Sequence, residues 1–343
     1  MDLKVLSGVQ RTKEFLGKSV KKQNPNIVLE VFRENSNYKT FGVKDTSEIS
    51  DFIIKKLLDE GYSWNTIDSC TDRGRAVDLN LLNPITGKLM VGSSSGTAIN
   101  VLYGLNTVGV GTDGGGSVLG PAIGLNLYSI LLSGVGIKGK ANKKSTDSIE
   151  FIPGIGFITQ DFTQLEKVCE IFLTEPQEII KKCCVMDLDI ESYKKLKEIY
   201  EINILEKQEK LYERDSMIEF LKNIFKSYSA LIYLEKDVEL YGLGDSVFGV
   251  MGEKAREIQK KSNKGFLKVL NMIDCSAIAI PTGDIGCAIV IVVPKGKRYL
   301  KPLLEISKVL SEDKRPKLYR EYFLNYPLKG IDDRDFKIWR END

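Results

Sequence analysis

The stretch from Leu89 to Gly134, LMVGSSSGTAINVLYGLNTVGVGTDGGGSVLGPAIGLNLYSILLSG, is apolar, small and glycine-rich, with Asp113 its only charge. A segment of this kind has to be buried, and its glycines let strands and helices approach more closely than side chains permit. It reads as the centre of an α/β fold. Around it the chain has 343 residues, 42% hydrophobic and 28% charged, a balance that supports a packed core without excess apolar surface. No repeat, low-complexity tract or linker divides it, and an α/β fold can run to this length as one unit. A single compact domain spanning 1–343 is therefore expected, with its core at 41–160 and 265–310.

The flanks read more conventionally. Residues 1–40 suggest a short polar helix followed by a strand at NIVLEVF. SEISDFIIKKLLDEG places Ile49, Phe52, Ile53 and Leu57 on one helical face, with Ser47 available as N-cap and Gly61 as stop,. Residues 160–232 are rich in lysine and glutamate. Helical periodicity runs through QLEKVCEIFL, ESYKKLKEIYEIN and SMIEFLKNIFKSYSALIYL, with one buried strand at CCVMDLDI. The segment 175–245 is expected to form a helical region covering a pocket. CSAIAIPTGDIGCAIVIVVP reads as two β runs joined at Thr282–Gly283–Asp284, before a closing helix, YLKPLLEISKVL, and a charged tail,.

Composition narrows the function. A net charge of +2 gives no basic field for nucleic acid or an anionic membrane. Cys70, Cys169, Cys183, Cys184, Cys275 and Cys287 form no CxxC pair and show no metal-ligand spacing,. MDLKVLSGVQ does not read as a secretion signal, and the longest apolar run, Ala122 to Ile137, is broken by Asn126, Ser129 and glycines,. The expectation is a soluble cytoplasmic protein with reduced cysteines, with a homo-oligomer or a partner protein left open.

Two glycine patterns suggest nucleotide binding and do not sustain it. GVGTDG (109–114) and GVGIKG (134–139) both fit GxGxxG. The first runs into further glycines and the second into KANKKSTDS, so neither opens an amphipathic helix,. GVGIKGKA falls short of a P-loop, with Ala141 where the metal-binding hydroxyl belongs,.

What remains is VGSSSGT and GTDGGGSVLGP, two clusters of hydroxyls on glycine loops in a chain with no histidine. A serine nucleophile needs a proton acceptor, and without histidine a lysine neutralised by burial can serve. The run DGGGS supplies backbone N–H groups with no side chains in the way, suited to an oxyanion. Each hydroxyl also has a structural use: Ser117 could cap a helix starting at Val118, and the triple serine could satisfy loop amides.

At these residues the chain resembles the amidase-signature hydrolases, whose core follows GGSSGGS…GTDxGGSxRxP. The two serines that correspond, Ser93 and Ser117, stand 24 positions apart, as in that family. The resemblance implies Ser117 as nucleophile and Ser93, after a cis Gly92–Ser93 bond, as bridging serine. FGVKD at 41–45 is similar to the family's lysine strand and implies Lys44 as general base. Gly114, Gly115 and Gly116, with Ser117, would supply the oxyanion N–H groups, Ser94 would support the loop, and Asp113 would be a structural loop acid. The likeness extends with gaps over roughly residues 28–310, including LLNP, GIKGK and AIAIPTG. Leu119 stands where the family has arginine, Ser95 where it has glycine, and no acidic residue lies near Gly265 in the sequence, which disfavours a glutaminase role.

The resemblance implies a mixed, largely parallel sheet covered by helices on both faces. It also implies an amidase acting on non-peptide carbon–nitrogen bonds through an acyl-enzyme, with no metal or cofactor. An acyl-transfer enzyme using the same intermediate, or a non-catalytic subunit marked by a Lys44 remote from Ser93, are the alternatives.

Overall fold

The computed structural model describes residues 3–145, 148–174, 176–206, 213–238, 248, 250–261 and 264–329. In chain order the strands begin with β1 (Val20–Gln23), β2 (Thr40–Lys44), β3 (Ser63–Asp68), β4 (Val77–Leu82) and β5 (Leu89–Val91). Next come β6 (Val108–Asp113), β7 (Tyr128–Leu131), β8 (Lys143–Lys144), β9 (Glu150–Phe151) and β10 (Gly154–Thr159). The last are β11 (Lys182–Met186), β12 (Glu201–Ile204), β13 (Ala230–Glu235), β14 (Ser276–Pro281) and β15 (Ala288–Val293). β4–β5 and β8–β9 are separate two-stranded pairs; the other strands form one eleven-stranded sheet in the order β1-β3-β2-β6-β10-β7-β14-β15-β13-β11-β12.

The sheet is mixed, as expected, though less parallel than the resemblance implies. Parallel pairing joins β3, β2 and β6 towards one end and β13, β11 and β12 at the other. Between them the neighbours run antiparallel from β6 through β10, β7, β14 and β15 to β13. The turn at 282–287 explains part of this, because a short connection can only return the chain antiparallel.

Helices cover both faces. α1 (Leu3–Arg11) and α2 (Ile27–Val31) precede α3 (Asp51–Asp59), α4 (Ser95–Leu102), α5 (Leu119–Gly124), α6 (Phe162–Glu170), α7 (Ile190–Lys197) and α8 (Arg214–Ile224). On one face Ile53 and Leu57 of α3, Leu165 and Val168 of α6 and Leu196 of α7 share a core with Leu303 and Ile306 of the helix Leu300–Leu310. On the other, α4 and α5 pack through Ala98, Leu102, Val118 and Ala122, and α8 through Met217 and Leu221. No helix among the described residues is long and apolar enough to cross a membrane.

Several expectations are corrected. NIVLEVF is a helix, not a strand: Ile27 and Val31, one turn apart, bury together against Val9, while Leu29 faces out,. The helix after β2 starts at Asp51, so Ser50 and not Ser47 occupies the N-cap position. Phe52 is 55% exposed, the buried stripe being Ile49, Ile53 and Leu57. The segment 175–245 is not purely helical, since β11, β12 and β13 extend the sheet there. Part of that segment and the charged tail from 330 lie outside the described residues.

Candidate active site

The site forms where two neighbouring parallel strands, β2 and β6, end at Lys44 and Asp113. Crevices beyond the carboxyl ends of parallel strands are the usual place for ligands in α/β sheets. Alternation along the strands decides which face is used. Phe41, Val43, Val108 and Val110 enter the core beneath α3 and α6. The intervening Gly109 and Gly111 turn to the opposite face. A Cβ at position 109 would lie 2.5 Å from Thr97 Cγ2 of α4, and one at 111 would lie 2.6 Å from Ser94 Oγ. VGVGTD is thus a strand whose glycines seat α4, which accounts for the first nucleotide-like pattern. GVGIKG holds a short 3-10 turn and a left-handed Gly136, and no helix follows it.

Close seating of α4 brings the triple serine to Lys44. Lys44 is 4% exposed. Its Nζ donates to Ser93 Oγ at 2.5 Å and to Thr112 Oγ1 at 2.8 Å. Burial lowers its pKa from the ordinary lysine value to about 8, with Cys70 and Asp113 acting in the opposite sense and Lys143 and Lys264 adding to the depression,. Lys44 and Ser93 are therefore brought together as the resemblance implies.

The Gly92–Ser93 peptide is cis. Gly92 N–H donates to the Ala76 carbonyl at 2.7 Å, and Thr71 N–H donates to the Ser93 carbonyl at 3.4 Å, fixing the loop on both sides. Ser94 N–H donates to the Ser117 carbonyl at 3.1 Å, which joins the two serine loops directly. Ser95 donates its hydroxyl to the carboxylate of Asp78 on β4. Ser93, Ser94 and Ser95 are buried, and Ser117 is half-buried.

Asp113 organises the glycine loop. Its Oδ1 accepts from Gly116 N–H at 2.6 Å, and its Oδ2 accepts from Val118 N–H at 2.7 Å and Leu119 N–H at 3.3 Å. It caps the first turn of α5, the task Ser117 could have had, and leaves Ser117 outside the cap. Gly116 has φ +84, a left-handed turn that glycine adopts without penalty,. One expectation changes here: because the Gly116 amide is taken by Asp113, the oxyanion candidates narrow to the N–H groups of Gly114, Gly115 and Ser117.

Three other groups were not singled out in the sequence. Thr112 gives Lys44 a second acceptor, Asp78 holds Ser95, and Glu235 of β13 accepts from Gly265 N–H at 2.5 Å. An acid thus stands beside Gly265 although none lies near it in the sequence. Thr112 was visible within GTDGGGS; the other two are brought in by strand pairing and leave no local mark.

No protein-family model and no curated protein matches the sequence. Solved structures do. The peptide amidase from Stenotrophomonas maltophilia is 11% identical, with 94% of this chain and 94% of that chain covered and a TM-score of 0.60. A 6-aminohexanoate cyclic dimer hydrolase is 11% identical over 92% of this chain and 94% of that one, at 0.61. The allophanate hydrolase of Kluyveromyces lactis is 12% identical over 94% of this chain and 72% of that one, at 0.62. At such identities it is the architecture that is shared: the chain has the fold of these hydrolases.

Proposed function

We propose that this protein is an amidase that cleaves the carbon–nitrogen bond of a small, non-peptide carboxamide through a serine acyl-enzyme. The observation that carries the reading is the contact between the buried Lys44 ammonium and Ser93, on a loop bonded to that of Ser117. With a pKa of about 8, roughly a tenth of Lys44 is neutral at pH 7,. In that form it accepts the Ser93 proton, Ser93 accepts from Ser117, and Ser117 Oγ attacks the carbonyl. The N–H groups of Gly114, Gly115 and Ser117 receive the developing oxyanion, worth about 2.7–4 kcal/mol per donor. The proton returns through Ser93 to the leaving amine, and water, deprotonated by the same relay, releases the acid. The sequence calls for no metal or organic cofactor.

The amidases among the solved relatives support this chemistry in kind. A Lys44 in contact with Ser93 favours it over a non-catalytic subunit. We assign the chain to a single domain in which α8, within 175–245, flanks the nucleophile loop, since its Phe220 stacks on Phe266 at 5.4 Å beside Leu267, which lies against Gly116. Six free thiols suit a cytoplasmic location.

Intact-mass analysis after exposure to a fluorophosphonate tests the proposal. A single adduct on wild type, absent from Ser117→Ala, together with ammonia release from a panel of primary amides, is expected. A folded wild type that takes no adduct contradicts it, and acyl transfer to an added amine in place of hydrolysis would reassign the final step.

A further inference from the structure

A second buried lysine touches both serine loops. Lys264 is 8% exposed, and its Nζ donates to the Gly92 carbonyl at 3.1 Å, across 172 residues of chain. Its stem lies along the nucleophile loop: a Cβ at Gly116 would sit 3.0 Å from Lys264 Cδ, and one at Gly120 would sit 2.9 Å from Cε. One side chain therefore meets the residue before Ser93, the residue before Ser117 and the first turn of α5. Its own backbone is well anchored, because Gly265 N–H binds Glu235 and Phe266 sits against Phe220 and Tyr233.

Burying an ammonium costs several kcal/mol unless its partners recover it. The stem alone could be replaced by leucine or methionine. What lysine adds is a charged donor, and one of its bonds goes to the carbonyl leading into Ser93.

We infer that Lys264 is a positioning residue of the relay, fixing Ser93 and Ser117 relative to each other by holding the Gly92 carbonyl and covering Gly116 and Gly120. The inference rests on the reading of these serines as a nucleophile and its bridge. Its charge acts on the base as well. Around Lys44 stand Asp68 on the neighbouring strand, Cys70, Asp113, Lys143 and Lys264. Of these, Lys264 and Lys143 disfavour the ammonium, so removing the Lys264 charge raises the pKa of Lys44.

The test measures the fluorophosphonate labelling rate against pH for full-length wild type, Lys264→Met, Lys264→Arg and Ser117→Ala, each checked by circular dichroism. Loss of a charged hydrogen bond to the loop should slow Lys264→Met by about tenfold or more. Its midpoint should move to higher pH, and Lys264→Arg should recover much of the rate. Equal rates in wild type and Lys264→Met overturn the inference. So does a slowing with no midpoint shift and no recovery by arginine, which would mark a packing role. If the methionine variant does not fold, Lys264→Gln takes its place against Lys264→Arg under the same criteria. A wild type without an adduct, or an adduct surviving Ser117→Ala, fails the relay reading and this inference with it; neither control involves Lys264.

Discussion

Replacing Asp113 with asparagine changes almost no volume, yet it strikes the bonds that shape the nucleophile loop. Both carboxylate oxygens accept: one from Gly116 N–H, the other from Val118 and Leu119 N–H. Asparagine has one acceptor oxygen and an NH2 that only donates, so its NH2 must oppose a buried N–H in either orientation. The better choice turns its oxygen to Val118 and Leu119 and sacrifices the bond to Gly116. Losing a charged hydrogen bond costs about 1.5–3 kcal/mol, and the donor left unsatisfied adds about 1–3 more. Asp113 is fully buried, so water cannot substitute, and a total of about 4 kcal/mol is expected. For 343 residues an unfolding entropy of ~0.7 kcal/mol/K converts this to a fall of about 6 °C in Tm. Thermal melts followed by circular dichroism, with urea unfolding alongside, measure it. A Tm within about 1 °C of wild type would refute the reasoning and mean that the loop holds its shape by other contacts.

Three further outcomes are expected. Thr112→Val removes an acceptor that stabilises the Lys44 ammonium, so the pH midpoint of serine labelling should move lower; an unchanged or higher midpoint would show that Thr112 does not solvate the base. Asp68 is fully buried; its carboxyl accepts from Thr66 Oγ1 and Asn100 Nδ2, yet burial outweighs these bonds and raises its pKa to about 6. The folded protein therefore binds this proton more tightly than the unfolded chain, and the group's contribution to stability is lost as pH rises towards 6. Asp68→Asn should raise Tm at pH 7.5 and not at pH 4, whereas a lower Tm at pH 7.5 would show that the charge is stabilised in place. Gly156→Ala would set its Cβ 2.3 Å from the Ile130 carbonyl oxygen and should cost about 3 kcal/mol in chemical denaturation; a loss under about 1 kcal/mol would mean that the β7–β10 pair can spread.

Some of this architecture was legible in the residues and some was not, for identifiable reasons. The two serine loops stand out because hydroxyls on glycine in an apolar setting are conspicuous, and the missing histidine points to lysine. Lys44 is marked only by its FGVKD context; its burial comes from alternation along β2 and from the glycines of β6 that seat α4. NIVLEV misleads because a short apolar run broken only by Glu30 carries no clear period,, and only the pairing of Ile27 and Val31 against Val9 makes it a helix. β12 is an edge strand with mostly exposed residues, and β13 follows α8 after a short break, so helical periodicity runs into both without a boundary. Lys264 sits in KKSNKG, which resembles any solvated run. Its burial depends on the packing of Phe266 and Leu267 and has no sequence signature.

The proposed relay requires Lys44 to work as a neutral base. The rate of fluorophosphonate labelling of Ser117 as a function of pH tests it most directly, in wild type, Lys44→Met and Lys268→Met. Lys268 is included because burial also lowers its pKa to about 8. The wild-type rate should rise with pH to a plateau, with a midpoint near the Lys44 pKa of about 8. Lys268→Met should keep that profile, and Lys44→Met should lose a factor of about 10²–10⁴ together with the pH dependence. A Lys44→Met protein that is folded and labels at the wild-type rate with the same midpoint would contradict it.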